Sequence, residues 1–145
     1  MNVLVTGASR GIGRATALEL AGAHDIAVGY KTSEDAAEAV VSEAEGAGAS
    51  AVAVQGDVTD STAVDAMVAD AAETLGGVDA VVNNAGIVDP ARAEELDDEQ
   101  WERVVETNLT GAFYVTRAAI PHLSPDGDIV FVSSIGGTGG TVDAS

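Results

Sequence analysis

Residues 3–13 read VLVTGASRGIG and lead from a short apolar run into a stretch with helical character. Gly7 permits a sharp turn after the run, Gly11 lets a ligand approach the backbone, and Gly13 lets helix pack closely on strand. Backbone N–H groups at such a helix N-terminus attract anions, so the segment predicts a site for the phosphates of a dinucleotide. Glycines also serve other tight strand–helix links, but this turn follows a predicted strand and opens a predicted helix, as such a site requires.

Short runs rich in β-branched residues alternate with longer Ala-rich stretches along the chain. The runs are almost continuously apolar, as strands buried on both faces of a parallel sheet must be. This alternation predicts a doubly wound α/β fold with right-handed crossovers. The predicted strands are residues 3–6, 26–30, 51–55, 80–83 and 129–133; the predicted helices are residues 11–23, 33–47, 60–75 and 98–123; glycine-containing turns are predicted at residues 46–48, 76–77 and 125–127.

The last predicted helix has the clearest start signal. Asp97 followed by Gln100 predicts a capping box, and Leu96 with Trp101 predicts an apolar contact across the helix start. Because the helix is long for one that covers a single surface, we expect it to have a second burial partner. In this chain alone we therefore expect apolar surface to be exposed along it, and we expect the protein to be marginally stable or oligomeric.

The composition and the net charge exclude several kinds of site and partner. The 145 residues carry 24 acidic and 6 basic side chains, a formal net charge of −18, two histidines and no cysteine. The lack of cysteine excludes disulfides and thiolate metal sites, and no metal is expected. The negative surface repels phosphate backbones and anionic membranes, so neither nucleic acid nor membrane is an expected partner. Since no apolar run reaches membrane-spanning length and no basic leader precedes the first run, we expect a cytoplasmic protein.

The acidity itself has two interpretations. The carboxylates can simply be the solvated outer faces of helices. Alternatively, one lysine, many acids and small apolar residues indicate adaptation to a salty cytoplasm. A charge of −18 destabilises the compact state by self-repulsion unless salt screens it, so the second interpretation predicts a halophile-like salt requirement.

Five motifs in order resemble those of the short-chain dehydrogenase/reductase family. Residues 6–13, TGASRGIG, match its T-G-x-x-x-G-x-G turn, and GDVTD at 56–60 is similar to its adenine-contacting acidic turn. NNAG at 83–86, Asn108 and Ser134 match its later motifs. The resemblance implies a Rossmann-type sheet in strand order 3-2-1-4-5 whose C-terminal part is missing, with residues 1–145 forming the N-terminal part of a single-domain reductase. The expected cofactor-binding residues are Thr6, Gly7, Ser9, Arg10, Gly11, Ile12, Gly13, Tyr30, Lys31, Thr32, Asp57, Val58, Asn84, Ala85 and Gly86.

The end of the second predicted strand indicates which nicotinamide coenzyme binds. An acid there selects NAD by binding the ribose 2′-hydroxyl, whereas a basic residue accommodates the 2′-phosphate of NADP. Here the strand ends in GYKTS, with Lys31 and no acid before Glu34. Arg10 in the glycine turn, and Arg14 just beyond it, add positive charge to an acidic protein, although Arg14 can also be a solvated helix residue. The sequence therefore predicts NADP(H).

The resemblance implies reversible hydride transfer between the nicotinamide and a carbonyl or alcohol. In the family a Tyr acts as general acid–base, and a Lys four residues later lowers its pKa. The resemblance assigns Ser134 a hydrogen bond to the substrate oxygen and Asn108 a water-mediated proton path. No Y-x-x-x-K occurs in the 145 residues, because Glu34 lies four residues after Tyr30 and Ala118 four residues after Tyr114.

Three explanations of the missing pair stay open. The chain can be part of a longer protein, a truncated product, or a naturally short nucleotide binder without turnover. The glycine-rich end at residues 136–140 favours the first two. We accordingly expect an NADP-dependent reductase of a small-molecule carbonyl substrate, similar to reductases of 3-oxoacyl thioesters. We expect this chain alone to be inactive. The resemblance also implies a homo-oligomer, which is a homotetramer in the family. The alternatives are an alcohol or polyol dehydrogenase and a redox-sensing NADP-binding module.

Overall fold

The computed structural model describes residues 1–92 and 94–134, so the glycine-rich residues 136–140 lie outside the described part. One sheet of five parallel strands is present, in the spatial order β3-β2-β1-β4-β5. This order and the parallel direction confirm the prediction of a Rossmann-type fold. The strands are β1 (Asn2–Val5), β2 (Asp25–Tyr30), β3 (Ala51–Gln55), β4 (Val78–Asn83) and β5 (Leu123–Phe131).

Helices cover both faces of the sheet, as the alternating sequence pattern predicts. One buried cluster joins the sheet to the first two helices, and the other joins it to the third and the last. Val40 lies in the first cluster and Met67 in the second, and both side chains are almost fully buried. The helices are α1 (Gly11–Leu20), α2 (Glu34–Gly46), α3 (Ser61–Leu75), α4 (Asp98–Val105) and α5 (Gly111–Ala119).

The first strand lies at the centre of the sheet. Val3 pairs with Ile26 of β2 on one side and with Ala80 of β4 on the other. Leu4 and Val5 are buried, because β1 has neighbouring strands at both edges and helices on both faces. The residues that follow β1 therefore emerge in the middle of the sheet's carboxyl edge, where bound ligands lie in open α/β sheets.

The last predicted helix is interrupted. Its start is as predicted, because the Asp97 carboxylate accepts from the Gln100 N–H at 2.7 Å and the Gln100 side chain accepts from the Asp97 N–H at 3.2 Å. A π-helical turn, Glu106–Thr110, then separates α4 from α5, and a 3₁₀ turn, Ile120–His122, follows. The Thr107 hydroxyl donates to the Arg103 carbonyl at 2.9 Å, a side-chain bond that competes with regular helix bonding. The sequence pattern does not predict this turn.

Apolar side chains are exposed along this helical stretch, as expected. Among the described residues of α4 none is buried. We call the exposed set the α4–α5 face; its members, all more than half exposed, are Trp101, Leu109, Phe113 and Ile120. Trp101, which the sequence predicts to contact Leu96, is 59% exposed.

The fifth strand begins earlier in the chain than the sequence pattern predicts. The structure has it at Leu123–Phe131 rather than at 129–133, so the predicted turn at 125–127 falls inside it. Val78 pairs with Leu123, but Ala80 pairs with Asp128, so β5 carries an irregularity with extra residues between the two pairs. The polar turn residues are accommodated in this irregularity, which a search for continuous apolar runs does not detect.

None of the helices in the described ranges combines the length and the apolar character needed to cross a membrane.

Candidate functional site

A cavity of about 630 Å³ opens at the carboxyl edge of the sheet. Its lining comes from the end of β2, from the segments that follow β1, β2, β3 and β4, and from one residue each of α3 and the π-helical turn. Its volume lies in the usual range of small-molecule and cofactor sites. The lining residues are Thr6, Gly7, Ser9, Arg10, Gly11, Ile12, Gly29, Tyr30, Lys31, Thr32, Ser33, Gly56, Asp57, Val58, Met67, Asn84, Ala85, Gly86, Ile87 and Thr107.

The glycine turn forms one wall of the cavity. Gly7 and Gly11 have φ of 63° and 59°, a region that favours glycine. A Cβ on Gly11 would meet no heavy atom within 4 Å, so this backbone faces open space on the cavity side. No side chain of the described residues caps the first turn of α1, whose N-terminal end therefore presents backbone N–H groups to an anion.

Gly13 does not line the cavity, although the sequence groups it with the cofactor-binding residues. A Cβ there would lie 2.4 Å from Nδ2 of Asn84 and 2.5 Å from the Gly7 carbonyl oxygen. Gly13 therefore acts from beneath the turn, by letting α1 approach the segment that follows β4. This is the close packing that its place in the motif predicts, with Asn84 as the group that it contacts.

The hydroxyl of Thr6 joins the ends of β1 and β4. It accepts from the N–H groups of Asn84 and Ala85, both at 3.0 Å, and donates to the Val82 carbonyl at 3.4 Å. In return the Asn84 side chain donates to the carbonyls of Thr6 at 2.9 Å and Gly7 at 3.2 Å. Thr6 is only 2% exposed and Asn84 and Ala85 are half-buried, and these bonds fix the glycine turn against the NNAG segment.

Lys31 and Asp57 meet across the ends of β2 and β3. The Lys31 Nζ lies 2.6 Å from Oδ2 of Asp57, whose Oδ1 accepts from the N–H and hydroxyl of Thr59. Partial burial raises the pKa of Asp57, but the hydrogen bonds from Lys31 and Thr59 outweigh burial and bring the pKa below its ordinary value. Asp57 is therefore a carboxylate at neutral pH, and it faces the only lysine of the chain.

The arginines of the described chain differ in their partners. Arg14 pairs with Glu43 of α2 at 2.7 Å, Arg103 pairs with Asp89, and Arg92 lies 3.9 Å from Glu94. Within residues 1–92 and 94–134, Arg10 and Arg117 have no carboxylate partner. The Arg117 guanidinium lies over the Phe113 and Tyr114 rings, whereas Arg10 is exposed at the mouth of the cavity.

The suggestion that Arg14 adds charge near the phosphates is wrong, because its guanidinium is turned toward α2 and held there by both oxygens of Glu43.

The two tyrosines have different surroundings. Burial first, and then the charges of Glu34 and Glu38, raise the pKa of Tyr30 above its ordinary value. The Tyr114 ring lies in α5, with the Arg117 guanidinium 5.1 Å from its centroid.

Asn108 and Ser134, the expected catalytic residues, are outside the cavity lining. Asn108 lies in the π-helical turn, and its amide bonds both backbone groups of Ile87: it accepts from the N–H at 2.8 Å and donates to the carbonyl at 2.9 Å. Asn108 thereby holds the segment that lines the cavity after β4. Ser134 is exposed and lies three residues beyond the end of β5.

Six lining residues escaped the sequence-based prediction. Gly29 near the end of β2 and Gly56 directly after β3 flank predicted positions, and the lack of a side chain at these places is the signal that the sequence offers. Met67 reaches the cavity from beneath: its Sδ would lie 3.5 Å from a Cβ on Gly29 and 2.9 Å from one on Gly56. No local pattern marks such a contact between distant elements. The remaining three are Ser33, Ile87 and Thr107.

These features fit a dinucleotide. The backbone at Gly11 is open to a phosphate, the α1 N-terminus attracts negative charge, and Arg10 and Lys31 lie at the same cavity. With the exception of Gly13, every residue predicted to bind the cofactor lines this cavity.

Comparison with known proteins identifies relatives of the same kind. A model of the family described as short chain dehydrogenase matches residues 1–145. The 3-oxoacyl-[acyl-carrier-protein] reductase FabG of Staphylococcus aureus is 39% identical over 142 residues, which are 96% of this chain and 58% of the relative. A short-chain dehydrogenase/reductase of Aspergillus aculeatus, AacuN, is 41% identical over 133 residues, covering 90% of this chain and 50% of the relative.

A solved structure agrees with the sequence matches. A short-chain dehydrogenase from Burkholderia cenocepacia, crystallised in complex with NADP, superposes with a TM-score of 0.90 at 38% identity, over 94% of this chain and 56% of that protein. The chain thus spans little more than half the length of the relatives that it matches. On the family match over all its residues, and on its likeness to these relatives, the chain belongs to the short-chain dehydrogenase family.

Proposed function

We propose that this chain is the coenzyme-binding part of an NADP(H)-dependent reductase that converts a carbonyl to an alcohol, with a 3-oxoacyl thioester as substrate. One observation supports the choice of coenzyme. Of the two cations that line the cavity, Lys31 is paired with Asp57, whereas Arg10 has no carboxylate partner in the described chain. On a chain with net charge −18, unpaired positive charge at a cavity favours an anionic ligand. The 2′-phosphate distinguishes NADP from NAD and supplies such an anion.

The chain's own residues would hold the coenzyme in three places. The glycine turn and the α1 N-terminus bind the pyrophosphate, Arg10 and Lys31 bind the 2′-phosphate, and the segment around Asn84 lies beside the turn. When bound, NADPH supplies the hydride that reduces the carbonyl carbon. Thr6 keeps the turn and the NNAG segment together, so the phosphate-facing amides are in place before the coenzyme arrives.

For the substrate side we propose roles for Asn108 and Ser134. Asn108 fixes Ile87, and thereby the segment between the coenzyme cavity and α4, so we assign it to the proton path by way of this backbone. Ser134 follows β5, which is the neighbour of β4, and its hydroxyl is proposed to bond the substrate oxygen. The proton donor itself is not among the tyrosines of the chain, since Tyr30 is buried with a raised pKa and Tyr114 packs under Arg117.

Titration with the two reduced coenzymes tests the coenzyme assignment. We expect nucleotide fluorescence to show tighter binding of NADPH than of NADH. Arg10→Ala and Lys31→Ala should each raise the Kd for NADPH about tenfold, the usual size of a lost charge-assisted bond, and change the Kd for NADH by less than twofold. Arg14→Ala is the matched control, because it removes an arginine of the same helix end that is paired with Glu43. Equal losses for both coenzymes, or no binding at all, would refute the assignment.

The surroundings of the two tyrosines favour a second candidate function, coenzyme binding without turnover. If neither tyrosine serves as acid–base, this chain can hold NADP(H) without turnover and act as a redox-sensing module. Incubation of the 145-residue chain with NADPH and a short 3-oxoacyl thioester separates the two functions, with an alcohol substrate and NADP as the reverse assay. We expect binding and no turnover from this chain, and turnover from a longer protein that supplies a tyrosine with a lysine four residues on. Turnover by this chain alone would overturn both the role of the missing pair and the sensor.

We further propose that the protein is a cytoplasmic homo-oligomer adapted to high salt. The exposed α4–α5 face supports association, and the absence of cysteine and a charge of −18 support the other two properties. Screening at 1 M salt reduces the Debye length to about 3 Å, so self-repulsion should fall and the melting temperature should rise between 0.1 and 2 M KCl. An unchanged melting temperature would contradict the adaptation to salt.

A further inference from the structure

The single lysine of the chain is held by a carboxylate inside the proposed coenzyme cavity. Its ammonium lies 2.6 Å from Asp57, and both residues line the cavity. The Lys31 carbonyl is fixed as well, because the Gln55 side chain donates to it at 3.1 Å. Lys31 is therefore an oriented cation whose charge is already partly balanced.

Asp57 is held in place independently of Lys31. Its Oδ1 accepts from the Thr59 N–H at 3.0 Å and from the Thr59 hydroxyl at 2.8 Å, which leaves Oδ2 directed at the ammonium. The carboxylate is 31% exposed and the Lys31 side chain 62%, so the pair is accessible to a ligand in the cavity. A ligand phosphate that reaches Lys31 must approach Asp57 too.

The two proposed phosphate-binding cations thus differ. Arg10 has no carboxylate partner among the described residues, whereas every approach to Lys31 brings a ligand anion near a fixed negative charge. A ribose 2′-hydroxyl is neutral and is little affected by that charge. A 2′-phosphate carries nearly two negative charges and is repelled by it.

We propose that Asp57 is a specificity-determining residue: by partly neutralising Lys31 it limits how strongly the cavity prefers a 2′-phosphorylated coenzyme over an unphosphorylated one. This inference rests on the proposed function, because it presupposes a nicotinamide dinucleotide in the cavity. Asp57 acts on the 2′-phosphate both through Lys31 and by direct repulsion, and neither effect applies to NADH.

The decisive variant is Asp57→Asn. Its amide oxygen can still accept from Thr59, so the loop after β3 keeps its hydrogen bonds while the charge is lost. We expect the ratio of the Kd for NADH to the Kd for NADPH to rise about fivefold, the upper size of an exposed ion-pair effect. Titration calorimetry with adenosine 2′,5′-bisphosphate and adenosine 5′-monophosphate should show the same change without any turnover. Contacts to adenine cancel in both ratios, because both members of each pair carry this base.

Asp60→Asn is the matched control. Asp60 lies in the same segment and loses the same charge, but its carboxylate accepts from the Thr62 and Ala63 N–H groups at the start of α3 and does not line the cavity. Asn is also a good helix cap, so this variant should fold. Its coenzyme ratio should stay within about 1.5-fold of the wild type, because the charge lost is not directed at Lys31.

The outcomes separate the inference from the proposed function. A ratio that is unchanged or lower in Asp57→Asn, or that rises equally in Asp60→Asn, overturns the role of Asp57. Failure of the wild type to bind either coenzyme overturns the proposed function instead. If Asp57→Asn does not unfold cooperatively, Asp57→Ser takes its place, since a serine hydroxyl is smaller and can also accept from Thr59, and the same direction is expected.

Discussion

The glycine turn and the α4–α5 face differ in how far the described chain buries and pairs their side chains. The turn is anchored by a buried, hydrogen-bonded side chain, whereas the face exposes apolar side chains. At the turn, Thr6 is 2% exposed and bonds two backbone N–H groups of the segment after β4. On the face, Leu109 is 68% exposed and Phe113 55%. A region whose polar groups are paired internally has one defined geometry, which a phosphate site needs, whereas exposed apolar surface is stabilised only when another surface covers it.

The largest effect on stability is expected from a substitution that adds one methyl group beneath the glycine turn. Gly13→Ala would place a Cβ 2.4 Å from the Asn84 amide and 2.5 Å from the Gly7 carbonyl, and backbone must shift to relieve this. We expect the free energy of unfolding, from urea denaturation, to fall by about 3 kcal/mol, with NADPH binding lost. Gly46→Ala is the control: its Cβ meets nothing within 4 Å in α2, so stability should rise by about 0.5 kcal/mol. Equal effects of the two changes would contradict the close packing at Gly13.

A smaller effect on stability is expected when the Thr6 hydroxyl, which joins the ends of β1 and β4, is removed. Thr6→Val keeps the shape of the side chain but leaves the N–H groups of Asn84 and Ala85 without their acceptor. We expect a loss of about 2 kcal/mol in the free energy of unfolding and weaker NADPH binding. Thr6→Ser restores the hydroxyl and should recover most of both. If the valine variant matches the wild type, the internal bonding of the turn does not determine its geometry.

The dependence of stability on acid pH tests two carboxylates that are hydrogen-bonded within the chain, Asp57 and Asp79. The N–H of Asn2 donates to Asp79 at 2.7 Å; this bond and one from Ser124 lower the pKa of Asp79, as Lys31 and Thr59 lower that of Asp57. Both carboxylates therefore stabilise the fold fully above the pKa of the unfolded chain, about 3.9, and this contribution is lost as pH falls through the lower folded values. The Asp79→Asn variant should lose less stability than the wild type below pH 4 in urea denaturation. An unchanged acid profile would show that Asp79 is not linked to folding.

The smallest effect on stability is expected on the α4–α5 face. Replacing both Leu109 and Phe113 by Ser removes exposed apolar surface, so the free energy of unfolding of the isolated chain should change by less than about 0.5 kcal/mol. The oligomeric state should change much more: sedimentation velocity should show association for the wild type and a monomer for the variant. A wild type that stays monomeric at high concentration would contradict the proposed association through this face.

The parts of the molecule that the sequence predicts well are those that depend on local backbone geometry. The glycine turn, the strand–helix alternation and the capping box at Asp97 all need particular residues at fixed short spacings, and the structure has each of them. The β5 boundaries, the π-helical turn and the contact of Met67 beneath Gly56 depend on elements far apart in the chain. The same holds for Arg14, whose partner Glu43 is on another helix.

The central position of β1 has a consequence for the order in which the protein forms during synthesis. Although β1 is made before the other four strands, both of its edges are paired only after β4 has been made, some eighty residues later. By the time Ile87 has emerged, the chain also contains every cavity-lining residue except Thr107. A nascent chain that has reached Ile87 can therefore complete the middle of its sheet, and a soluble nucleotide can stabilise it by binding while translation continues.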